Sequence, residues 1–262
     1  MGINFHDPAN RETYAAREAD RGWYRFMRQL LNEQTGFQAV DIGCGGGIYT
    51  RALADLGASR VTGVDYSEAS LEGAGKNTEP DSRIAYVLGH AENTGLKERA
   101  ADVVLIRAVI HHLGELDRTF REAFRLLRPG GLLVIQDRTP EDCLLPGSST
   151  HIRGWFFSCF PKLVDMEKGR RWPDHGVRRA LEKTGFRMES TVHVWETRRE
   201  YETKERLLED LSGRTGRSLL HELDDRELKI LIDYIDRRIE AGKRVAERDR
   251  WTIWAAVKGE EK

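Results

Sequence analysis

The chain has 262 residues, 39% of them hydrophobic and 32% charged, with a formal net charge of −1 at pH 7. That length allows one domain with an insertion and a sizeable core, and the balanced charge argues against a protein that grips nucleic acid through its phosphates, which is normally basic. Three cysteines, Cys44, Cys143 and Cys159, match no zinc or redox spacing, which predicts free thiols in a reducing, cytoplasmic compartment. The polar start of the chain has no secretory apolar stretch and no apolar run is long enough to span a bilayer.

Residues 11–35 read as a helix, with Trp23, Phe26, Met27, Leu30 and Leu31 at three- and four-residue spacing. A strand is predicted at 38–42, a helix at 47–56, a strand in RVTGVDYS (60–67) and a helix near 67–76. RIAYVLGHAE (83–92) and ADVVLIRAVIHHL (101–113) supply a third and a fourth strand. Residues 117–127 form a helix with Phe120, Ala123, Phe124 and Leu127 on one face. Arg128-Pro129-Gly130-Gly131 stops it as a turn, and LLVIQD (132–137) is the fifth strand. Short apolar strands alternating with helices predict an α/β fold: a Rossmann-like, mostly parallel sheet with helices on both faces. Burial on both faces explains why VVLI and LLVI are continuous apolar runs.

After Asp137 the pattern changes. Residues 138–173 read as loop, rich in aromatics and glycine, and 174–186 as a short helix closed by Gly185. Residues 187–201 form a long strand, and 202–249 are charged and helical. Within them Asp224 and Glu227 make a capping box, followed by an apolar stripe of Leu228, Leu231, Ile232, Ile235 and Ile239. RWTIWAAVKG (250–259) is an antiparallel last strand. The expected organisation is a single domain, with residues 1–35 as a helical lid and 138–173 and 202–249 as a cap on the substrate side.

The chemistry gathers at VDIGCGGG (40–47). Ligands of parallel α/β sheets sit beyond the carboxyl ends of the strands. Glycine there permits positive φ and close approach of the backbone, and the following helix N-terminus attracts negative charge. A dinucleotide turn needs a third glycine where Ile48 stands. Asp65, closing the second strand, is placed to accept from two ribose hydroxyls under either reading. Asp41, two residues ahead of Gly43, repels a pyrophosphate but suits a guest carrying an ammonium and a sulfonium, such as the methionine half of S-adenosylmethionine.

VDIGCGGG, VTGVDYS, VLGHAEN, ADVVLIRAVIHHL and LLRPGGLLVI stand in that order over residues 38–137. In this the chain resembles the class I S-adenosylmethionine-dependent methyltransferases, in their small-molecule "type 11" branch. The resemblance implies S-adenosylmethionine as cofactor, S-adenosylhomocysteine as product, no metal, and direct displacement onto a small-molecule acceptor. It places Gly43, Gly45 and Gly47 beside the methionine part, Asp41 toward its amino group, Asp65 on the ribose and Tyr66 on the adenine face. Ala91 offers its backbone N–H to the ring, Glu92 is a further candidate there, and Arg107 offers its carbonyl to the ammonium. His90 stands where the family has an aspartate; a neutral histidine accepts through one ring nitrogen. Metal-dependent relatives need an acid where Arg107 stands. No Pro-Pro-Tyr/Phe run and no Pro-Cys pair points to a nucleic-acid substrate.

His111 and His112, after the fourth strand, are candidate general bases or simply line the pocket. Tyr14, Trp155, Phe156 and Trp172 are acceptor-pocket candidates, and Arg153, Arg170 and Arg171 either bind an anionic acceptor or are solvated. Two other readings stay open: an NAD-dependent oxidoreductase, and a binding module that keeps the cofactor site without turnover. Neither a nucleic acid nor a membrane is expected as a partner, and the acceptor, the atom methylated and the oligomeric state are left open.

Overall fold

The computed structural model of the chain describes residues 18–77 and 80–259. In chain order its elements are α1 (Arg21–Leu30), β1 (Gln38–Ile42), α2 (Ile48–Asp55), β2 (Arg60–Asp65), α3 (Glu68–Asn77), β3 (Ile84–Leu88) and β4 (Ala101–Arg107). A 3-10 turn at Ile110–His112 precedes α4 (Asp117–Leu126) and β5 (Leu127–Asp137). Then come α5 (Pro140–Cys143), α6 (Arg153–Cys159), α7 (Lys162–Gly169), α8 (Asp174–Lys183) and β6 (Phe186–Tyr201). The rest is α9 (Lys204–Ser212), a 3-10 turn at Ser218–Glu222, α10 (Asp225–Asp236) and β7 (Val245–Lys258).

The strands form a seven-stranded sheet in the order β3-β2-β1-β4-β5-β7-β6. The first five pair in parallel and β7 runs antiparallel to β5, from Leu132 opposite Val257 to Asp137 opposite Thr252. This is the predicted Rossmann-like α/β fold with its antiparallel last strand. The chain divides into two compact units. One comprises the described parts of residues 5–137, 172–194 and 252–262; the other comprises residues 138–171 and 195–251.

In the first unit the strand alternation feeds two cores. Val40, Ile42, Val104, Ile106, Leu133 and Ile135 pack with Phe120 and Leu126 of α4 and Leu181 of α8. Ala39, Val61, Val103, Leu105 and Val134 pack with Trp23 and Met27 of α1 and Leu53 of α2. The α1 periodicity is thus explained by burial, and Asp20 starts the helix by accepting from the Gly22 N–H at 2.6 Å. The predicted lid helix over 11–35 is described only as Arg21–Leu30; residues 1–17, with Tyr14, lie outside the described residues.

The second unit has its own core, in which Trp155, Phe156 and Phe157 of α6 pack with Leu207, Leu211, Leu231 and Ile235. No described helix is long and apolar enough to cross a membrane.

Three local expectations are corrected. Residues 138–173 are not loop: they contain three short helices. The first is set by a capping box in which Thr139 and Asp142 exchange hydrogen bonds, with Pro140 at the first helical position. Arg128–Gly131 is not a free turn but part of β5, where Leu127 pairs with Ala101 and the register then shifts before Val103 meets Leu132. Residues 245–249 belong to β7 rather than to a helix, because their buried alternate positions are Val245, Glu247 and Asp249.

Those acids are matched from within the second unit. Glu247 accepts from Arg217 at 2.6 Å and Arg198 at 2.9 Å. Asp249 pairs with Arg138 at 3.0 Å and Arg153 at 3.3 Å, and Glu167 of α7 pairs with Arg171 at 3.0 Å and Arg153 at 3.5 Å. Arg153 and Arg171 are therefore neither solvated nor spread on a surface; they are locked to buried carboxylates.

Candidate functional site

The parallel strands bring four chain turns side by side at their carboxyl ends: Ile42 lies beside Val64 and Ile106, and Arg107 beside Gln136. All the residues of the candidate site described next belong to the first unit.

In the turn after β1, Gly43, Gly45 and Gly47 have φ of +75°, +51° and +78°, which side-chain-bearing residues seldom adopt. Their roles differ. A Cβ at Gly43 would stand 2.2 Å from Val109 Cγ2, and one at Gly47 2.2 Å from Tyr86 Oη. Those two positions are dictated by packing as well as by conformation. At Gly45 a Cβ would meet nothing within 4 Å, so the missing side chain there opens toward free space. The turn hangs from β2, with the Gly43 and Cys44 N–H groups donating to the Val64 carbonyl at 2.7 and 3.0 Å. It leads into α2, whose first turn receives no side-chain cap; such an end suits a ligand carboxylate.

Asp65 closes β2 with little exposure. Its Oδ2 accepts from the Gly45 N–H at 2.8 Å and its Oδ1 from the Ser67 N–H at 3.0 Å. A carboxylate has about four lone-pair sites, so a vicinal diol can still donate to both oxygens. Beyond it the Tyr66 ring is half exposed and lies within 20° of parallel to the His90 ring, with centroids 6.3 Å apart. That spacing is at the outer end of aromatic contact.

The segment carrying His90, Ala91 and Glu92 is a tight bridge in which His90 and Asn93 exchange backbone hydrogen bonds. It is pinned by Glu122 of α4, which accepts from the Thr94 N–H and hydroxyl and is held in turn by Arg125. Glu122 was not legible as a site support: it is 28 residues away from Thr94. Ala91 packs on the core, while Glu92 is exposed and sits 3.6 Å from Arg118 in a surface pair.

Asp41 is not at the rim of a pocket but buried, on the β1 face covered by α2, where it accepts from the Thr50 hydroxyl at 2.7 Å. Burial raises its carboxyl to about 7, Asp65 adds to the rise, and Thr50 and Arg107 oppose it. Arg107 was read only for its carbonyl; its guanidinium also lies 4.0 Å above the Tyr49 ring. A carboxyl raised in the folded state costs stability that grows as pH climbs from the unfolded value toward 7. The stability of Asp41→Asn relative to the unsubstituted protein should therefore rise between pH 5 and pH 8 without ligand, by about 2–4 kcal/mol if the whole shift is expressed. Denaturant midpoints at both pH values check this; a constant gap would show that Asp41 is already ionised at pH 5. Cys44 is pushed up by burial and by Asp41 and Asp65, so it stays a thiol and is no nucleophile.

Past β4, Ala108 takes φ +55° and the 3-10 turn folds back over the end of β5. There the His111 Nδ1 lies 3.0 and 2.9 Å from the two oxygens of Asp137, whose Oδ2 also accepts from the His111 N–H at 3.3 Å. The His112 ring is 3.9 Å away from that of His111. Trp172 holds the same turn by donating its indole N–H to the Leu113 carbonyl at 3.1 Å. The pairing of Asp137 with His111 joins positions 26 residues apart and leaves no signal in the sequence. Among the described residues no group of three or more His, Cys, Asp and Glu side chains is arranged for a metal. Trp155 and Phe156, expected to line an acceptor pocket, instead have their rings buried in the core of the second unit.

Residues 40–135 match a family model described as a methyltransferase domain. The chain is 38% identical over 167 residues to a ubiquinone biosynthesis O-methyltransferase of Maricaulis maris, covering 61% of this chain and 62% of that one. It is 31% identical over 119 residues to a demethylmenaquinone methyltransferase of Staphylococcus epidermidis, covering 45% of this chain and 49% of that one. The chain spans about half the length of the curated relatives it matches. Among solved structures it is similar to a phosphoethanolamine N-methyltransferase 2 of Haemonchus contortus in complex with S-adenosyl-L-methionine, with a TM-score of 0.58 at 20% identity over 98% of this chain and 60% of that one.

Proposed function

From the premise that residues 40–135 are a methyltransferase domain of the class I S-adenosylmethionine-dependent kind, we propose that the chain transfers a methyl group from S-adenosylmethionine to a small-molecule acceptor. The observation that carries this reading is Asp41. A carboxyl buried behind the glycine turn and raised to about 7 is relieved by a cationic guest and made worse by a pyrophosphate. The remaining residues fit the same guest: open space at Gly45 and the uncapped start of α2 for the amino-acid end, Asp65 for the ribose, and Tyr66 with the His90–Glu92 bridge for the base. The named acceptors of the relatives, a demethylmenaquinone and a phosphoethanolamine, are small molecules, which favours the same class here.

When bound, S-adenosylmethionine supplies an activated methyl with a neutral leaving group. The protein's part is to hold, orient and exclude water, and orientation alone can supply about 7–11 kcal/mol. Asp65 and the glycine turn fix the donor, while the turn at Ile110–His112 lies next along the sheet edge.

Thermal unfolding with S-adenosylmethionine, S-adenosylhomocysteine and NAD tests the reading. At a hundredfold excess over its dissociation constant a ligand stabilises by about 2.7 kcal/mol. The two adenosyl ligands should raise the melting temperature and NAD should leave it unchanged; a shift with NAD alone would favour the oxidoreductase instead.

A further inference from the structure

The second unit buries more positive charge than it offsets. Among the described residues one cluster of ion pairs joins three guanidiniums, Arg138, Arg153 and Arg171, to two carboxylates, Asp249 and Glu167. Arg153 touches both acids, and their attraction outweighs its burial. Arg138 fares differently. It pairs with Asp249, which it shares with Arg153. Burial first, and then the repulsion of Arg153, nevertheless hold its guanidinium below its ordinary basicity, with Arg171 adding to both against the pull of Asp249. The array two residues back along β7 shows the contrast. There Arg198, Arg217, Asp210 and Glu247, joined by the Tyr201 hydroxyl, leave no buried side-chain polar atom without a hydrogen bond. The first cluster is also open on one side: the Arg138 and Arg153 side chains are 13% and 11% exposed, against 2% for Arg171 and none for Glu167. Buried charge that is poorly offset is costly, and such costs gather where a ligand relieves them.

His151 supplies a second observation. It is buried, and its Nδ1 lies 4.0 Å from the same Asp249. That nitrogen faces the Arg248 carbonyl at 3.1 Å, which requires a proton on Nδ1 and leaves a lone pair on Nε2. Burial lowers the ring's basicity; the Arg248 carbonyl and Asp249 oppose this while Arg153 and Arg138 support it, and the ring is neutral. Nε2 is buried without a hydrogen-bond partner, which a folded chain seldom tolerates. A water would give Nε2 a donor but Arg138 no charge, and a carboxylate alone would do the reverse. We propose that the second unit holds a binding site for a small hydroxy acid, with its carboxylate on Arg138 and Arg153 and its hydroxyl donating to Nε2 of His151. An amino acid fits less well, because its ammonium would join two guanidiniums beside the ring. The site lies wholly within the second unit, so the proposal goes beyond the methyl-transfer reading and stands without it.

Two measurements on the full chain test it, and the first needs no ligand. Arg138→Met keeps an unbranched apolar side chain and removes the surplus charge, while Asp249 retains its hydrogen bond from Arg153. The melting temperature should rise by about 2 °C or more. Arg171→Met is the comparison and should lower it, because Glu167 is then left with arginines only at 3.5 and 3.9 Å. The second measurement is calorimetric titration with lactate, salicylate and 4-hydroxybenzoate, each beside the acid lacking the hydroxyl and beside its primary amide. At least one hydroxy acid should bind about tenfold more tightly than both of its analogues, since a site built for a hydroxyl and a charge is left unpaired by either loss. Arg138→Met should weaken that acid by about tenfold or more. His151→Asn keeps a donor for the Arg248 carbonyl and removes Nε2, and should reduce the acid to the level of its deoxy analogue.

If His151→Asn does not fold, the analogues and Arg138→Met carry the test by themselves. Failure of all three acids to bind overturns the proposal, as does equal affinity for each acid and its deoxy analogue, or an affinity indifferent to Arg138→Met. A melting temperature that falls as far in Arg138→Met as in Arg171→Met overturns it too, for Arg138 would then be an ion pair that serves the fold alone.

Discussion

Asp65→Ala should weaken S-adenosylhomocysteine binding by about a hundredfold or more, the largest loss from any one substitution in the cofactor site. Hydrogen bonds to a charged group contribute roughly 1.5–3 kcal/mol each, and in the proposed function this carboxylate accepts two from a ribose. A second effect adds to the first. The same oxygens already hold the Gly45 and Ser67 N–H groups, so removing them loosens the turn at the point where its missing side chain faces open space. Stability should fall as well, by about 1–3 kcal/mol for the donors left unsatisfied. Asp65→Asn separates the two losses, because it keeps one carbonyl acceptor for the turn while halving what a ribose can donate to. Calorimetric titration of both variants, with circular dichroism to confirm folding, reads the result. Full affinity in Asp65→Ala would place the ribose elsewhere.

Glu167→Gln should destabilise the protein by about 3–5 kcal/mol, the range for breaking a buried ion pair and leaving its partner charged. The side chain is inaccessible, and it faces Arg171 at 3.0 Å and Arg153 at 3.5 Å. Burial by itself would raise its carboxyl; Arg153, Arg171 and Arg138 overcome that and hold it well below the usual carboxylate range. Asp249 is held low in the same way, burial being outweighed by Arg153 and Arg138. Acids depressed in the folded state stabilise fully above their unfolded values, near pH 4, and the contribution is lost as pH falls through that region and below. Urea midpoints should therefore drop steeply on acidification below pH 4, and the drop should be shallower in Glu167→Gln. Glu202→Gln is the comparison: its pair with Arg244 is about three-quarters exposed on both sides, and exposed pairs contribute little. Equal midpoints for the two variants would mean that water reaches the Glu167 cluster.

The same cluster explains what the sequence concealed. The five parallel strands and α4 were legible because their pattern is apolar: Val103, Val104 and Leu105 leave no other reading, and the helix stripe of Phe120 and Ala123 is buried as predicted. The start of β7 was hidden because its inward positions, Glu247 and Asp249, look like surface charge until the arginines that match them are located more than a hundred residues earlier or across the unit. The glycine turn was legible for a different reason. Backbone conformation leaves its mark on composition, so Gly43, Gly45 and Gly47 announce themselves, and Asp65 follows at a fixed distance. Partnerships that cross the fold leave no such mark. Asp137 and Glu122 each support a candidate site element from another strand or helix, and neither His111 nor Thr94 hints at the partner. The aromatics of α6 misled for the converse reason, since Trp155 and Phe156 have the same composition whether they line a pocket or fill a core.

The sheet order has a consequence for how the chain is made. Residues 38–137 supply five strands in one continuous stretch, so the glycine turn, Asp65 and the His111–Asp137 pair are synthesised together, before the strands β6 and β7. The strand that covers the far side of β5 is the last to appear, with Thr252 to Val257 arriving more than a hundred residues after their partners. Throughout that interval β5 is a bare edge of apolar residues, Leu132 to Ile135, of the kind that recruits other strands. The core of the second unit likewise waits, since Trp155 and Phe156 are synthesised well before Leu231 and Ile235 can cover them. The candidate site is thus synthesised before its sheet is covered, and the closing strand, which contributes no candidate site residue, is what removes that bare edge.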